Sequence, residues 1–244
     1  MTVLRHWWRT ACCALAAASC IGAAHAATLQ ISPVMVVLPK GANASGLTLR
    51  NSGDKPIYGQ VRVFRWSQAN GEDSLTPTQD VVASPPMIEI GAGGEQLVRL
   101  VRTAAAATGS EQSYRILIDE LPEPDTTPAN GVSIRLRYSV PVFIDPASEP
   151  TGEPNLSWRV RHTEAGWTLE VENTGRRRAQ IAGVEIVNGA GNAYAINKGL
   201  LGYALAGCGR QWQLPLPAAA DLNGPLKVRA AVNSVQTEAS VVAR

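Results

Sequence analysis

Cysteine is scarce in this sequence and lies mostly at one end. The 244 residues contain four cysteines, and Cys12, Cys13 and Cys20 all precede residue 27. Only Cys208 follows, so the remaining sequence has no second thiol with which to close an internal disulfide. Its glycine-rich setting, AGCGR, is more typical of a small packed residue than of a nucleophile. The role of Cys208 stays open.

Histidine is equally scarce, and beyond the first 26 residues only His162 remains. A zinc site needs several cysteine or histidine ligands, and no serine lies in a G-x-S-x-G turn. The segments IGAGGE and GYALAGCG lack the Lys-Ser/Thr pair that holds a nucleotide phosphate. Asp119 and Glu120 are neighbours on a predicted strand and therefore point to opposite faces. The sequence predicts no metal, no cofactor and no catalytic site, and it favours a binding protein over an enzyme.

Long apolar runs are missing after the N-terminus, where none approaches the ~20 residues that cross a bilayer. At the N-terminus, Arg5 and Arg9 precede an apolar, alanine-rich run that ends at the small-x-small pattern AHA (24–26). These are the three parts of a secretory signal. We expect residues 1–26 to be a signal peptide and the mature protein to be exported and not membrane-embedded.

The sequence also lacks an excess of basic charge. The expected signal peptide carries two of the 22 lysines and arginines and none of the 20 acidic residues, so its removal leaves the charges balanced. Nucleic-acid-binding domains normally show a strong basic excess. We therefore expect no nucleic-acid partner.

Short runs of alternating or continuous apolar residues recur every 8 to 15 residues. Turn-forming segments such as NSGDKP and NGEDSLTP separate them, and no long amphipathic helix with caps is present. This spacing predicts an all-β sandwich, with Trp66 as a core residue. In the first half the predicted strands are 28–39, 45–51, 58–68, 95–102, 113–121 and 132–144.

A polar, proline-rich stretch, ASEPTGEPN, follows residue 146 and resembles a domain junction. We expect an N-terminal domain over 27–146 and a C-terminal domain over 147–244. The second half repeats the β pattern more weakly, over 156–175, 179–188, 210–217 and 225–234. It also holds the run 176–178 of three arginines, and such a charge run is usually a solvated loop tip.

The strand GVSIRLRYSVPVFIDP (131–146) raises a question about its purpose. Val132, Ile134, Leu136 and Tyr138 alternate with polar residues, so one face of the strand is apolar. A proline-rich loop precedes it, which suggests a sheet edge, and an apolar edge invites another chain to pair with it. The pattern alone favours side chains that face the protein's own core.

The order of these features resembles the periplasmic chaperones of the chaperone–usher pathway for pilus assembly. The similar segments are LQISPVMVVLPKGANASGLTLRNSGDKPIYGQVRVFRW, SPPMIEIGAGGEQLVRL, YRILIDELP with its Glu-x-Pro, and IRLRYSVPVFIDP. The resemblance implies two immunoglobulin-like β-sandwich domains set at an angle, in the periplasm. It also implies an ATP-independent chaperone that binds pilin subunits and delivers them to an outer-membrane usher.

In this family the last strand of the first domain is lent to a pilin subunit, in the strand addition known as donor-strand complementation. The resemblance therefore assigns Val132, Ile134, Leu136 and Tyr138 to a donor strand that fills a groove in the subunit. This favours the partner over the protein's own core.

One departure from the family concerns the anchor for the subunit's C-terminal carboxylate. Many members hold it with an arginine on the first strand and a lysine near the end of the donor strand. Here those places fall near Met35 and Pro141, which suggests a divergent, archaic branch. Our first candidate for a substitute is Arg115, because a guanidinium binds a carboxylate through two hydrogen bonds. The second candidates are Arg99, Arg102 and Arg137, although each strand arginine is by itself more often solvated.

Two other functions stay open at this point. An exported carbohydrate-binding or adhesin-like β-sandwich would expose aromatic platforms, for which Trp158, Trp167 and Trp212 are candidates, although core packing is the commoner role. An exported hydrolase of another type is disfavoured by the missing histidines and metal ligands.

Overall fold

The computed structural model describes residues 29–104, 109–124, 134–146, 152–164, 166–216 and 220–243. Every regular element in these ranges is a β-strand, as expected from the alternating sequence pattern. The first half contains β1 (Leu29–Ser32), β2 (Val36–Leu38), β3 (Ala44–Asn51), β4 (Ile57–Ala69), β5 (Glu72–Pro77), β6 (Val81–Ser84), β7 (Met87–Ile90), β8 (Glu95–Arg102), β9 (Gln112–Leu121) and β10 (Arg137–Ile144). The second half contains β11 (Leu156–Thr163), β12 (Gly166–Asn173), β13 (Ala179–Asn188), β14 (Ala193–Ala204), β15 (Gly209–Gln213), β16 (Leu226–Val232) and β17 (Val235–Ala243).

The first half folds as a two-layer sandwich. One sheet has the order β1-β3-β8-β6, and the other has the order β2-β10-β9-β4-β5, with β7 paired to β4. Alternation along each strand sends one set of side chains inward. On β8, for example, Val98 and Leu100 are fully buried while Leu97 and Arg99 face solvent.

The second half forms its own core from one continuous path of seven strands, β14-β13-β16-β17-β11-β12-β15. A short parallel pairing of β17 with β11 joins its two layers. Val160, Leu169, Ile186 and Val228 are at most 1% exposed in this core. The all-β fold with two immunoglobulin-like sandwiches is thus confirmed, while the exact division at residues 146 and 147 stays a prediction.

Two of the predicted strands differ from the structure. The run 28–39 divides into β1 and β2, which belong to different sheets, because Pro33 has no N–H with which to continue the β1 ladder. The run 132–144 becomes a strand only from Arg137, and residues 134–136 lie outside it. Val132 and the expected signal peptide lie outside the described residues.

The prediction of a solvated arginine tip at 176–178 is wrong for Arg178. Its side chain is 11% exposed and forms an ion pair with Glu111, whose side chain is fully buried. Glu111 immediately precedes β9 in the first sandwich, and Arg178 immediately precedes β13 in the second. Arg178 is therefore buried by its contact with the other half of the molecule, while Arg176 stays exposed.

A third, smaller cluster lies between the two sandwiches. It consists of Trp66, Phe143, Tyr203 and Leu205, with Met35 and Cys208 packed against it. Trp66 is 3% exposed, which confirms it as a core residue. The cluster joins side chains from both halves and forms the floor of a cleft between them.

Candidate functional site

The cleft between the two sandwiches is a cavity of about 510 Å³. Met35 from the β2 side, Arg115 on β9 and Pro141 on β10 form one wall. Leu200 on β14 and Trp212 on β15 belong to the opposite wall. Both places where the family resemblance puts its cations, Met35 and Pro141, thus line this cleft with neutral side chains.

Arg115 lies in the cleft on β9, next to the strand β10. It is paired there with Pro141. Its guanidinium carbon lies 3.8 Å from the ring centroid of Trp66 and 5.7 Å from that of Tyr203. Burial lowers the pKa of Arg115, and the negative charge of Asp73 opposes that shift. No group in the described part of the molecule accepts a hydrogen bond from this guanidinium or forms an ion pair with it. Arg115 is thus a half-buried cation that packs against aromatic rings. Its guanidinium N–H groups have no hydrogen-bond partner among the described residues.

A second cation, Arg210, also lines the cleft, but its charge is already matched. Its Nη1 lies 3.1 Å from Glu72 Oε2, and its Nη2 lies 3.7 Å from Asp73 Oδ2. The same Nη1 donates to the Gly71 carbonyl at the tip of the β4–β5 hairpin. Arg210 therefore joins the hairpin of the first sandwich to the second sandwich.

Asp73 is likewise engaged in holding the floor of the cleft. Its Oδ1 accepts hydrogen bonds from Trp66 Nε1 at 3.0 Å and from Gln68 Nε2 at 2.9 Å. Gln68 also donates to the Tyr203 carbonyl at 2.8 Å and accepts from the Leu205 N–H at 2.9 Å. These buried bonds fix the two halves of the cleft relative to each other.

The other three anchor candidates lie elsewhere. Arg99 is exposed on the outer face of β8, and Arg102 donates to Asn43 Oδ1 at 2.8 Å. Arg137 donates to and ion-pairs with Asp119. The structure therefore brings only Arg115 of the four into the cleft.

The strand β10 has a paired end and an open end. It pairs with β9 along its whole length, but β2 covers its other edge only from Val142 to Ile144. The Leu136 carbonyl accepts from Glu120 N–H at 3.0 Å on the β9 side, and Asp145 N–H donates to the Leu38 carbonyl at 3.0 Å on the β2 side. Because main-chain groups alternate along a strand, those of Arg137 and Ser139 face the β2 side. No described strand pairs with them there.

The side chains also become more exposed from the paired end of β10 toward its open end. Val142 and Ile144 are fully buried and Val140 is 4% exposed, whereas Leu136 is 37% and Ile134 is 78% exposed. The apolar face therefore enters the protein's own core at one end and leaves it at the other.

Tyr138 marks the change between the two ends. It packs against the core while its hydroxyl donates to Glu120 at 3.2 Å. Burial, and then the negative charge of Glu120, raise the pKa of Tyr138 to about 12. Glu120 also accepts from the Leu136 N–H at 3.2 Å, so its carboxylate fixes the point where the segment leaves the sheet.

The residues of the other functions occupy less suitable places. Trp158 is buried in the second core, and Trp167 and Trp212 are half-buried against the same core. Burial raises the pKa of the Cys208 thiol, which donates to the Ala206 carbonyl at 3.5 Å. Within the described residues there is no group of three metal-binding side chains and no helix of a length and polarity that would cross a membrane.

Sequence reasoning missed Tyr203, Asp73 and Arg210. Nothing near Tyr203 in the sequence indicates that it packs with Trp66, since the two rings come from different sandwiches, with centroids 5.4 Å apart. A weak signal existed for the hairpin that carries Asp73, because Asn70-Gly71 is the turn dipeptide of tight hairpins. Both residues have positive φ, 54° and 77°.

Comparison with known proteins agrees with this fold. The family model for the pili and flagellar-assembly chaperone, PapD N-terminal domain, matches residues 28–149. This chain belongs to that family, as the order of its segments indicated.

Individual relatives are more distant. An uncharacterized fimbrial chaperone of Escherichia coli K12, YhcA, is 28% identical over 141 residues, which cover 57% of this chain and 58% of that protein. The chain thus matches somewhat over half the length of this curated relative. A chain of the CsuC–CsuE chaperone–tip adhesion subunit pre-assembly complex, from archaic chaperone-usher Csu pili of Acinetobacter baumannii, is 25% identical with a TM-score of 0.68. That match covers 89% of this chain and 100% of the other.

The fold alone is shared with the YadV chaperone. Its crystal structure has a TM-score of 0.64 at 17% identity, over 88% of this chain and 100% of that one. At this identity the comparison extends to the two sandwiches and not to the side chains of the cleft.

Proposed function

We propose that this protein is a periplasmic, non-enzymatic chaperone that binds pilin subunits and passes them to an outer-membrane usher. The single observation that carries the proposal is the open end of β10, with its exposed apolar side chains, beside a cleft that holds an unpaired arginine. In the CsuC–CsuE complex a chaperone is joined to a tip adhesion subunit, which supports a partner of the same kind here. The similarity to an archaic system supports an archaic branch.

The binding step is addition of a strand. The unpaired main-chain groups of Arg137 and Ser139 supply hydrogen bonds to a subunit strand, as in chaperone–pilin donor-strand complementation. Ile134 and Leu136, already outside the protein's own core, enter the subunit's groove. Val132 extends the same face in the sequence, and Tyr138 forms its inner end.

The anchoring step uses Arg115. A subunit strand that runs along the open edge of β10 from Ile134 toward Pro141 reaches the cleft at Arg115, which is paired with Pro141. There a C-terminal carboxylate accepts two hydrogen bonds from the guanidinium, in a site where burial strengthens the interaction. The anchor fixes which subunit residues face which positions of β10.

The buried contacts between the sandwiches give the cleft a constant width. The Glu111–Arg178 ion pair and the bonds of Gln68 cross from one half to the other. Holding both walls in place before binding lowers the free-energy cost of ordering them in the complex.

The proposal is tested by purifying tagged protein from the periplasm and identifying what is bound to it. We expect small secreted subunits to copurify, and Arg115→Ala to lose them while its thermal melt is unchanged. Arg99→Ala is the matched control, because Arg99 is an exposed arginine outside the cleft, and it should retain the subunits. Elution by sugars without any bound subunit would contradict the chaperone function. Full capture by Arg115→Ala would contradict the role of Arg115 as the anchor.

A further inference from the structure

The cleft exposes apolar side chains beside Arg115 that the free protein leaves uncovered. Val34 is 77% exposed and Leu200 is 50% exposed, and both line the cavity. Leu201 and Trp212 stand next to them and are half-buried. Large apolar side chains that gather in a concave place mark a contact surface more often than isolated ones do.

This apolar wall is preformed. Trp212 packs on the second core and lies so close to Gly202 that a Cβ added there would be 3.0 Å from a ring carbon. Gly202 therefore permits the indole ring to rest directly on the backbone of β14. Leu200, two residues earlier on the same strand, extends the wall toward solvent.

The charges of the cleft fit a single carboxylate. Arg210 is matched by Glu72 and Asp73, which leaves Arg115 as the cation without an ion-pair partner among the described lining residues. Asp73 also lines the cavity, and its negative charge disfavours a second negative charge there. A cavity of about 510 Å³ accommodates the end of a peptide rather than a folded segment.

We propose that the cleft selects its subunits by the chemistry of their last residue, and that it prefers an apolar side chain. This inference rests on the proposed function, and it assigns the wall of Val34, Leu200 and Trp212 to that side chain while Arg115 binds the adjoining carboxylate. An apolar side chain covers the exposed wall, whereas a polar one loses its hydration without a partner. An acidic one additionally meets Asp73, so the site discriminates by repulsion as well as by attraction.

The test uses synthetic peptides and the purified chain. The probes are acetyl-Thr-Val-Thr-Val-Thr-Val-X, with X as Leu, Ser or Asp, each prepared as the free acid and as the C-terminal amide. Isothermal titration calorimetry gives the dissociation constants. We expect the Leu acid to bind about tenfold more tightly than the Ser acid, the effect of burying roughly half a leucine side chain, and the Asp acid to bind most weakly. Equal binding of the three acids would overturn the inference.

Variants then assign the preference to the wall. Val34→Ser combined with Leu200→Ser changes two exposed residues and should bring the Leu-to-Ser ratio close to one. Leu97→Ser is the matched control, since Leu97 is 59% exposed on β8 and does not line the cleft. It should keep the tenfold ratio. A double variant that keeps the full ratio would overturn the assignment to this wall.

The acid and amide pairs separate this inference from the anchor on which it depends. Equal binding of acid and amide for every X would refute the carboxylate anchor. Stronger binding of the acids with no preference for X would leave the anchor in place and refute only the selection of the last side chain.

Discussion

The guanidinium of Arg115 lies over the indole ring of Trp66, with 3.8 Å between Cζ and the ring centroid. The stacking stabilises a cation that burial would otherwise disfavour, and this burial is what lowers the pKa of Arg115. The hydrogen-bond donors of the guanidinium nevertheless find no partner in the described residues. The charge of Arg115 therefore has no counterion in the described residues, and the free protein gains little stability from it.

This arrangement predicts that function and stability separate at Arg115. Arg115→Met keeps a long apolar side chain at this position and removes the buried unpaired charge. We expect the free energy of unfolding in urea to be unchanged or to rise by up to about 1 kcal/mol, while subunit capture is lost. The control, Arg99→Met, changes an exposed arginine and should affect neither measurement. A variant that unfolds several kcal/mol more easily would show that the charge of Arg115 supports the fold itself.

The Glu111–Arg178 ion pair, unlike the charge of Arg115, is expected to stabilise the fold. Burial raises the pKa of Glu111, and the charge of Arg178 opposes this shift and keeps the carboxylate usable as a partner. Arg178 also stacks over Phe143, with its Cζ 3.8 Å from the ring centroid. Glu111→Gln leaves a buried guanidinium without its counterion, so we expect a loss of about 3–5 kcal/mol in unfolding free energy, measured by urea denaturation.

The control for this pair is a double-mutant cycle. Glu111→Gln with Arg178→Met removes both charges and should be clearly more stable than Glu111→Gln alone. A second comparison is Glu95→Gln, which breaks the exposed pair with Arg50 and should cost less than about 1 kcal/mol. Equal losses for Glu111→Gln and Glu95→Gln would mean that burial does not strengthen the pair between the sandwiches.

The misassigned side chain of Arg178 shows what cannot be inferred from the local sequence. Three successive arginines after a turn carry a local signal for solvent, and nothing in their neighbourhood indicates a carboxylate 67 residues earlier in the chain. The same limit applies to the cleft, whose floor combines Trp66 with Tyr203. Contacts between two sandwiches depend on how they dock, and the local alternation of side chains carries no information about docking.

Most of the strands themselves could be predicted from the sequence. The alternation of β8 and β9, and the buried run at the end of β10, follow from their own residues. β14 was missed because Asn197, Lys198 and Gly199 interrupt its apolar residues. β17 was missed because its start follows Asn233 and Ser234, whose positive φ of 48° and 70° forms a tight hairpin without the usual glycine. Arg115 was chosen as the first anchor candidate because a guanidinium binds a carboxylate through two hydrogen bonds, and its role as the anchor stays a prediction.

The Asp80–Arg65 pair predicts a pH dependence of stability. The hydrogen bond from Arg65 is the main cause that holds the pKa of Asp80 below the ordinary 3.8, and the Tyr114 hydroxyl adds a weaker one at 3.4 Å. A carboxyl with a lowered folded-state pKa stabilises the fold above its unfolded pKa, and this contribution disappears as the pH falls through the folded value. The side chain of Arg65 is 42% exposed and that of Asp80 is 30% exposed. The contribution to the free energy of unfolding is therefore limited to about 1 kcal/mol.

We therefore expect Asp80→Asn to be less stable than the parent protein at pH 7 and to approach it as the pH drops below 3.8. Urea denaturation at a series of pH values measures the difference. The control is Asp54→Asn, at an exposed turn residue with no ion pair among the described residues, which should track the parent throughout. A gap between Asp80→Asn and the parent that stays constant to low pH would show that the pair is not the source of the stability.

The last prediction compares Ile134, in the proposed donor strand, with Val140, six residues further along the chain. Both side chains belong to the same alternating face, but Ile134 is 78% exposed and Val140 is 4% exposed. Ile134→Ser should therefore change the unfolding free energy of the isolated protein by no more than about 0.5 kcal/mol, because it leaves no cavity. If Ile134 fills the subunit's groove, the same change removes about 1.5–3 kcal/mol of burial from the complex and weakens capture about 10- to 100-fold.

Val140→Ser is the matched substitution within the protein's own core, and it should behave in the reverse way. Removing a buried aliphatic group and introducing a hydroxyl there should cost the free protein about 2 kcal/mol or more. Urea denaturation of each unbound variant, beside a capture assay with purified subunit, measures both quantities. Normal capture by Ile134→Ser, together with a large loss of stability, would place Ile134 in the protein's own core in solution. The strand would then be an ordinary sandwich strand, and the chaperone function would lose the exposed apolar surface on which strand addition depends.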